Sequence, residues 1–102
     1  MIFENFEEMV KRFDGIARAF NYEDPFNRPQ LIIRCRHGWS DKNARFYASF
    51  EDVEVKGRGV LIGAFGDGST PEEAMEDYLK KIMGKVLVYR AMSEYRKEVA
   101  VV

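Results

Sequence analysis

The stretch from Gly59 to Tyr89 constrains this chain more than any other: GVLIGAFGDGSTPEEAMEDYLKKIMGKVLVY. It spells an apolar run, a glycine-rich turn, a capped helix and a second apolar run. Thr70-Pro71-Glu72-Glu73 has the form of a capping box, with the Thr70 side chain taking the N3 amide and Glu73 reaching back. Pro71 falls at N1, where a missing N–H costs nothing. Glu72, Glu73, Glu76 and Asp77 crowd the first half, and Lys80, Lys81 and Lys85 the end, which complements the helix dipole. Glu76 and Lys80, and Asp77 and Lys81, are i,i+4 pairs in the better orientation. Ala74, Met75, Tyr78, Leu79, Ile82 and Met83 form one apolar face, and Gly84 supplies the left-handed stop.

On either side the periodicity changes. Val60 to Phe65 is a continuous apolar run, and Val86 to Tyr89 is another. Gly66-Asp67-Gly68-Ser69 reads as a tight turn between the first strand and the helix. Such a β–α–β unit most simply places its two strands parallel in one sheet with a right-handed crossover.

The rest of the chain supplies the layers around that unit. Residues 3–20 read as an amphipathic helix with Phe6, Val10, Phe13, Ala17 and Phe20 on the core stripe, extended by Phe3, and with Asn5 and Glu8 as its cap. Gly15 interrupts it at a cost of about 1 kcal/mol against alanine. Asn21 to Gln30 is a loop broken by Pro25 and Pro29, with Tyr22 and Phe26 expected to fold back on the core. Leu31 to His37 is a strand with Leu31, Ile33 and Cys35 on one face and Ile32, Arg34 and Arg36 on the other.

Arg45 to Phe50 follows, with Phe46, Ala48 and Phe50 inward. The apolar phase then slips to Val53 and Val55, which calls for a bulge or bend near Glu51-Asp52. Lys56-Gly57-Arg58-Gly59 is a hairpin turn into Val60. After Tyr89, residues 90–97 are a strand continuation or a turn, and Val99 to Val102 is a final strand fragment. The expected fold is α+β: an N-terminal helix, a three-stranded antiparallel meander, a second helix and a further strand, with the helices packed on one face of a mixed sheet.

Composition narrows the classes of function. One hundred and two residues make a single domain, and 46% hydrophobic with 14% aromatic content marks a folded one. No apolar run approaches the roughly 20 residues of a membrane span. The start MIFENFEEMV is acidic and lacks the basic region of a signal peptide, and a lone Cys35 excludes an internal disulfide, so the cytoplasm is the expected compartment. A net charge of −1 denies the chain the global basic field of most nucleic-acid binders.

Catalytic and metal signatures are missing. Cys35 and His37 fall short of a zinc set, and strand neighbours two apart lie about 6–7 Å from each other, too far for a Cys–His nucleophile pair. They read instead as a buried core cysteine and a turn histidine. Gly66-Asp67-Gly68 is neither phosphate-loop pattern, and the acids of the following helix would repel phosphate. Glu51, Asp52 and Glu54 have no partner acids placed by a motif. The expectation is therefore no enzyme, no cofactor and no metal.

One constellation has functional content. Arg34, Arg36, His37, Trp39, Lys42, Arg45, Tyr47, Lys56 and Arg58 combine cations with aromatic rings in the middle third, the only slightly basic part of the chain. With helices covering one sheet face, Arg34, Arg36 and Tyr47 share the other. Three readings stay open: an ordinary solvated sheet face, a protein interface rich in Arg, Tyr and Trp, or a surface that stacks bases and holds phosphates. Apart from these, Val99 to Val102, left unpaired, would be covered by a two-fold homodimer through that segment or the sheet edge beside it.

The pieces Asp52-Val53-Glu54-Val55-Lys56, Gly66-Asp67-Gly68-Ser69-Thr70-Pro71-Glu72-Glu73-Ala74 and Ile82-Met83-Gly84-Lys85-Val86-Leu87-Val88 resemble a pattern in small phage and prophage proteins of Gram-positive bacteria. The helix start Gly68 to Ala74 is also similar to that of HicB-type antitoxins, which have a partial ribonuclease H-like fold. This chain departs from the latter in its long N-terminal helix and its lack of an appended DNA-binding domain, so operon regulation does not carry over. The resemblance implies a non-enzymatic accessory protein of a mobile element that acts by binding a host or phage protein, in some such proteins to inhibit a host defence. The alternative is a nucleic-acid-binding module using the basic and aromatic sheet face.

Overall fold

The structure, a computed structural model, describes residues 5–36 and 44–102. Its elements in chain order are α1 (Phe6–Phe20), a 3-10 turn (Pro25–Asn27), β1 (Leu31–Cys35), β2 (Phe46–Phe50), β3 (Val53–Gly57), β4 (Val60–Ile62), β5 (Gly66–Gly68), α2 (Pro71–Ile82), β6 (Val86–Tyr89) and β7 (Lys97–Ala100). The fold is α+β, and the helix–strands–helix–strand order is the expected one. The strands form a three-stranded sheet, β1-β2-β5, and a four-stranded sheet, β4-β3-β6-β7.

Every pairing among the described residues is antiparallel. The single mixed sheet with parallel strands around α2 is therefore corrected: α2 links β5 of the first sheet to β6 of the second. The difference arises at the glycines. The apolar run from Val60 stops as a strand at Ile62, and Gly66-Asp67-Gly68 is itself a strand, paired with β2, rather than a turn.

The glycines of β5 alternate at the strand period, so both face α2. A Cβ on Gly66 would fall inside the helix, 2.6 Å from the Tyr78 Cα, and one on Gly68 would stand 2.5 Å from the Ala74 amide nitrogen. Real Cβ atoms do not pack that closely, so only glycine lets the α2 backbone lie on this strand. Helix α2 itself follows its sequence signals. The Thr70 side chain accepts from the Glu73 amide at 3.2 Å, and Gly84 has φ +74. Glu73 reaches back one residue further than a standard box, accepting from the Ser69 amide at 2.9 Å and from its hydroxyl.

The bend at Glu51-Asp52 does more than absorb a slip in phase. The Glu51 amide donates to Gln30 at 2.8 Å, beside β1, whereas the Asp52 carbonyl accepts from Arg90 at 3.1 Å, beside β6. Consecutive residues thus belong to different sheets, with Asp52 at φ +59 as the corner. Before it, Ala48 and Phe50 are buried under the helices; after it, Val53 turns inward. At the far end of β3, Arg58 (φ +48) and Gly59 (φ +80) form a two-residue turn with both φ positive, as a type I′ hairpin requires.

The core joins both sheets to both helices. Phe13 of α1 stacks on Tyr78 of α2 at 6.0 Å, and Phe50 of β2 meets both rings edge-on. Phe20 packs edge-on against Tyr89. The buried stripe of α1 is Met9, Phe13, Ile16 and Phe20; Phe6 and Val10, expected inside, are exposed. Both stripes contain Phe13 and Phe20, so the pattern alone leaves the rotation open, and packing against β7 and α2 selects the Met9/Ile16 side.

Two further expectations are corrected, and a third alternative is decided. Tyr22 and Phe26 point to solvent, because Asn21 and Asp24 side chains cap the local turns and turn the loop away from the core. Cys35 is exposed, since the helix cover runs out along β1 from half-buried Leu31 to exposed Cys35. The C-terminal segment pairs on its own sheet: Val99 lies opposite Leu87, and Val101 is buried and bonded to Gly84 and Lys85. That pairing removes the ground for a dimer through an unpaired tail.

Candidate functional site

The strand register decides which of the candidate side chains meet. Arg34, Tyr47 and Asp67 are directly opposite one another on β1, β2 and β5. Glycines 66 and 68 face α2, so this row points to the opposite, outer face of the three-stranded sheet. Arg36 follows β1 on the same face, its amide donating to the Arg45 carbonyl at 2.7 Å.

On this face Arg36 is the centre of a built cluster. Its guanidinium sits 4.6 Å from the centroid of the Tyr47 ring and 5.6 Å from that of Phe65. The two rings meet edge-on at 6.2 Å. The same guanidinium is ion-paired to Asp67 at 2.5 Å and donates to the Ala44 carbonyl. Such a charge-assisted bond on a half-buried pair orients the arginine far better than an exposed lysine could be oriented. Helix α2 braces the arrangement from behind. Asp77 accepts from the Asp67 amide at 2.8 Å and pairs with Lys81 at 3.0 Å, and Lys81 donates to the Phe65 carbonyl. Burial alone would push the Asp77 carboxyl up, but the Asp67 amide and Lys81 outweigh it and hold it below its usual range.

A cleft of about 350 Å³ opens beside the cluster where the chain changes sheet, lined by Arg36, Tyr47, Ser49, Val53, Gly63, Ala64 and Phe65. Phe65 in its lining is 46% exposed; Val60 and Ile62 of β4, in the other sheet, are 59% and 57% exposed. No family model, curated protein or solved structure matches this chain. The chemistry of this surface therefore has to be read from its own residues.

Of the nine candidate residues, the structure brings together Arg34, Arg36 and Tyr47. Arg45 is exposed just before β2. Lys56 and Arg58 belong to the other sheet, Lys56 paired with Glu98 at 3.2 Å and Arg58 at the hairpin tip. His37, Trp39 and Lys42 lie outside the described residues. Phe65, Asp67 and Ser49 are the members that sequence reasoning missed. Alternating glycines at 66 and 68 were the available signal, because read as a strand opposite Phe46–Ala48 they place Asp67 against Tyr47.

Among the described residues no group of three or more His, Cys, Asp or Glu side chains could hold a metal, and no helix is long and apolar enough to cross a membrane. What the face offers is an oriented cation and an aromatic wall ending in the exposed Phe65 ring.

Proposed function

We propose that this chain is a non-enzymatic binding protein that engages a protein partner through the outer face of the β1-β2-β5 sheet. The observation that carries this reading is the exposed Phe65 ring packed against the oriented Arg36 and Tyr47 cluster. Apolar side chains flanked by a fixed arginine and tyrosine are the make-up of an interface hot spot. The resemblance to small phage proteins supplies the source of the partner: a host or phage protein, with inhibition of a host defence as the biological outcome.

A nucleic-acid surface is the second reading, favoured by the openness of Arg34 on the same face. Against it, the Tyr47 ring is already covered by Arg36, and Asp67 offsets the Arg36 charge, which removes both the stacking platform and the phosphate contact.

Affinity capture from a bacterial lysate, with and without nuclease, separates the two. The protein reading expects one protein to be retained after nuclease and lost when Phe65→Ser or Arg34→Glu is the bait. Recovery of nucleic acid alone, with steep loss between low and moderate salt, would overturn it.

A further inference from the structure

A second cleft, of about 410 Å³, lies on the β6–β7 side of the four-stranded sheet and is lined by Asn21, Asn27, Tyr89, Arg90, Tyr95 and Lys97. Its lining holds two cations, two amides and two phenol rings, and no carboxylate. Neither Arg90 nor Lys97 has a carboxylate partner among the described residues. Two unneutralised cations sharing one concave site make a local positive potential in a chain whose net charge is −1.

Arg90 is also oriented. Its guanidinium lies over the Tyr89 ring at 4.7 Å from the centroid and donates to the Asn27 side-chain oxygen at 3.2 Å. Its backbone has φ +53, an uncommon conformation for a non-glycine residue. Hydrogen bonds from its amide to Asp52 and from Ser93 to its carbonyl hold it there. An uncommon, over-determined backbone that holds an arginine without a carboxylate partner in the lining of a cleft points to a binding role. Lys97 stands opposite Tyr89 in the β6–β7 register, so the second cation arrives from the neighbouring strand. Tyr95, 65% exposed, leaves its ring available at the rim.

We propose that this cleft binds a nucleotide, with the phosphate held by Arg90 and Lys97 and the base stacked on Tyr95. A bare phosphate would use the cations and leave most of the volume unfilled, and an uncharged ring would leave the cations unanswered. A cleft of this size falls in the usual range for small-ligand sites. The nucleotide can arrive free or as one unit of a single strand, because the chemistry recognised is the same. The site stands on residues separate from the Arg36 cluster and is independent of the protein-binding reading.

The test is a calorimetric titration of the full chain with a set of 5′-mononucleotides, with inorganic phosphate, with a nucleoside, with a short single-stranded oligonucleotide and with an acidic peptide. A mononucleotide should bind at least about tenfold more tightly than phosphate or nucleoside alone, since each supplies only part of the contacts. Tyr95→Ala should weaken nucleotide binding about tenfold and leave phosphate binding unchanged. Lys97→Gln should weaken both. Both positions are exposed, and circular dichroism confirms that the variants fold. An oligonucleotide that binds more tightly than the mononucleotide, with a salt-dependent affinity, identifies a strand as the source; equal affinity identifies the free nucleotide. No saturable binding of either form, binding unchanged in both variants, or an acidic peptide that binds more tightly than every nucleotide would overturn the proposal.

Discussion

Gly66 of β5 lies directly beneath Tyr78 of α2, so close that a Cβ would stand 2.6 Å from the Tyr78 Cα. This contact holds the helix against the strand and lets Tyr78 reach Phe13 and Phe50 in the core. It also fixes the neighbouring Asp67 on the other face, where it pairs with Arg36.

Gly66→Ala must therefore push α2 away from β5. Overpacking of this kind costs about 1–3 kcal/mol, and the upper end is expected because the obstacle is backbone on both sides. Gly57→Ala is the control, since nothing stands within 4 Å of its Cβ position and its φ is not positive. Urea denaturation should show a large drop in midpoint for the first and little change for the second. Equal effects would mean that α2 does not lie on β5 as described.

Much of the fold was legible in the sequence where local signals agreed. The Thr70 cap, the Gly84 stop, the apolar face of α2 and the hairpin at Arg58-Gly59 all depend on neighbours within a few residues. What was not legible depends on tertiary contact. The rotation of α1 could not be read because its two overlapping stripes share Phe13 and Phe20, and β5 was hidden because glycines signal a turn unless a helix is known to lie on them. The candidate face was half legible for the same reason. Arg34, Arg36 and Tyr47 follow from strand alternation, whereas Asp67 and Phe65 enter only once β5 is paired with β2.

Gly15 is a second glycine with the opposite expectation. It sits inside α1 with nothing within 4 Å of its Cβ position. Gly15→Ala should stabilise the protein by about 0.5–1 kcal/mol through the helix propensity of alanine. A raised thermal midpoint checks this, and a lowered one would contradict it.

At the hairpin, Arg58 occupies a left-handed conformation that costs most side chains about 1–2 kcal/mol. Arg58→Asn should relieve part of that cost and raise stability, since asparagine before glycine suits this turn. The same variant should leave partner capture unchanged, because Arg58 lies in the other sheet from the Arg36 cluster. Loss of capture would return Arg58 to the binding surface.

Stability should fall at both extremes of pH. Glu73 is held below its usual range by the Ser69 hydroxyl and amide, and Glu98 by Lys56 and Arg96. Together with Asp77 these carboxylates stabilise the folded state above the unfolded carboxyl pKa, and that contribution is lost as pH falls through their lower folded values, below about pH 4. Burial pushes the Tyr78 phenol up to about 12, against a smaller opposing hydrogen bond with the Phe50 backbone. Its stabilisation is complete below the unfolded value of about 10 and is lost as pH rises past it. Thermal midpoints measured across pH should be flat through neutrality and drop on both sides, and Tyr78→Phe should remove much of the alkaline drop.

Site-specific photo-crosslinking in bacterial cells tests the proposal that the outer face of the β1-β2-β5 sheet binds a protein partner. A photoreactive amino acid is placed in turn at Arg34, at Phe65 and, as a control, at Glu72, which is exposed on α2. Positions 34 and 65 are expected to crosslink to the same protein, and position 72 is not. Crosslinks to nucleic acid alone from positions 34 and 65, or equal capture of that protein from position 72, would contradict it.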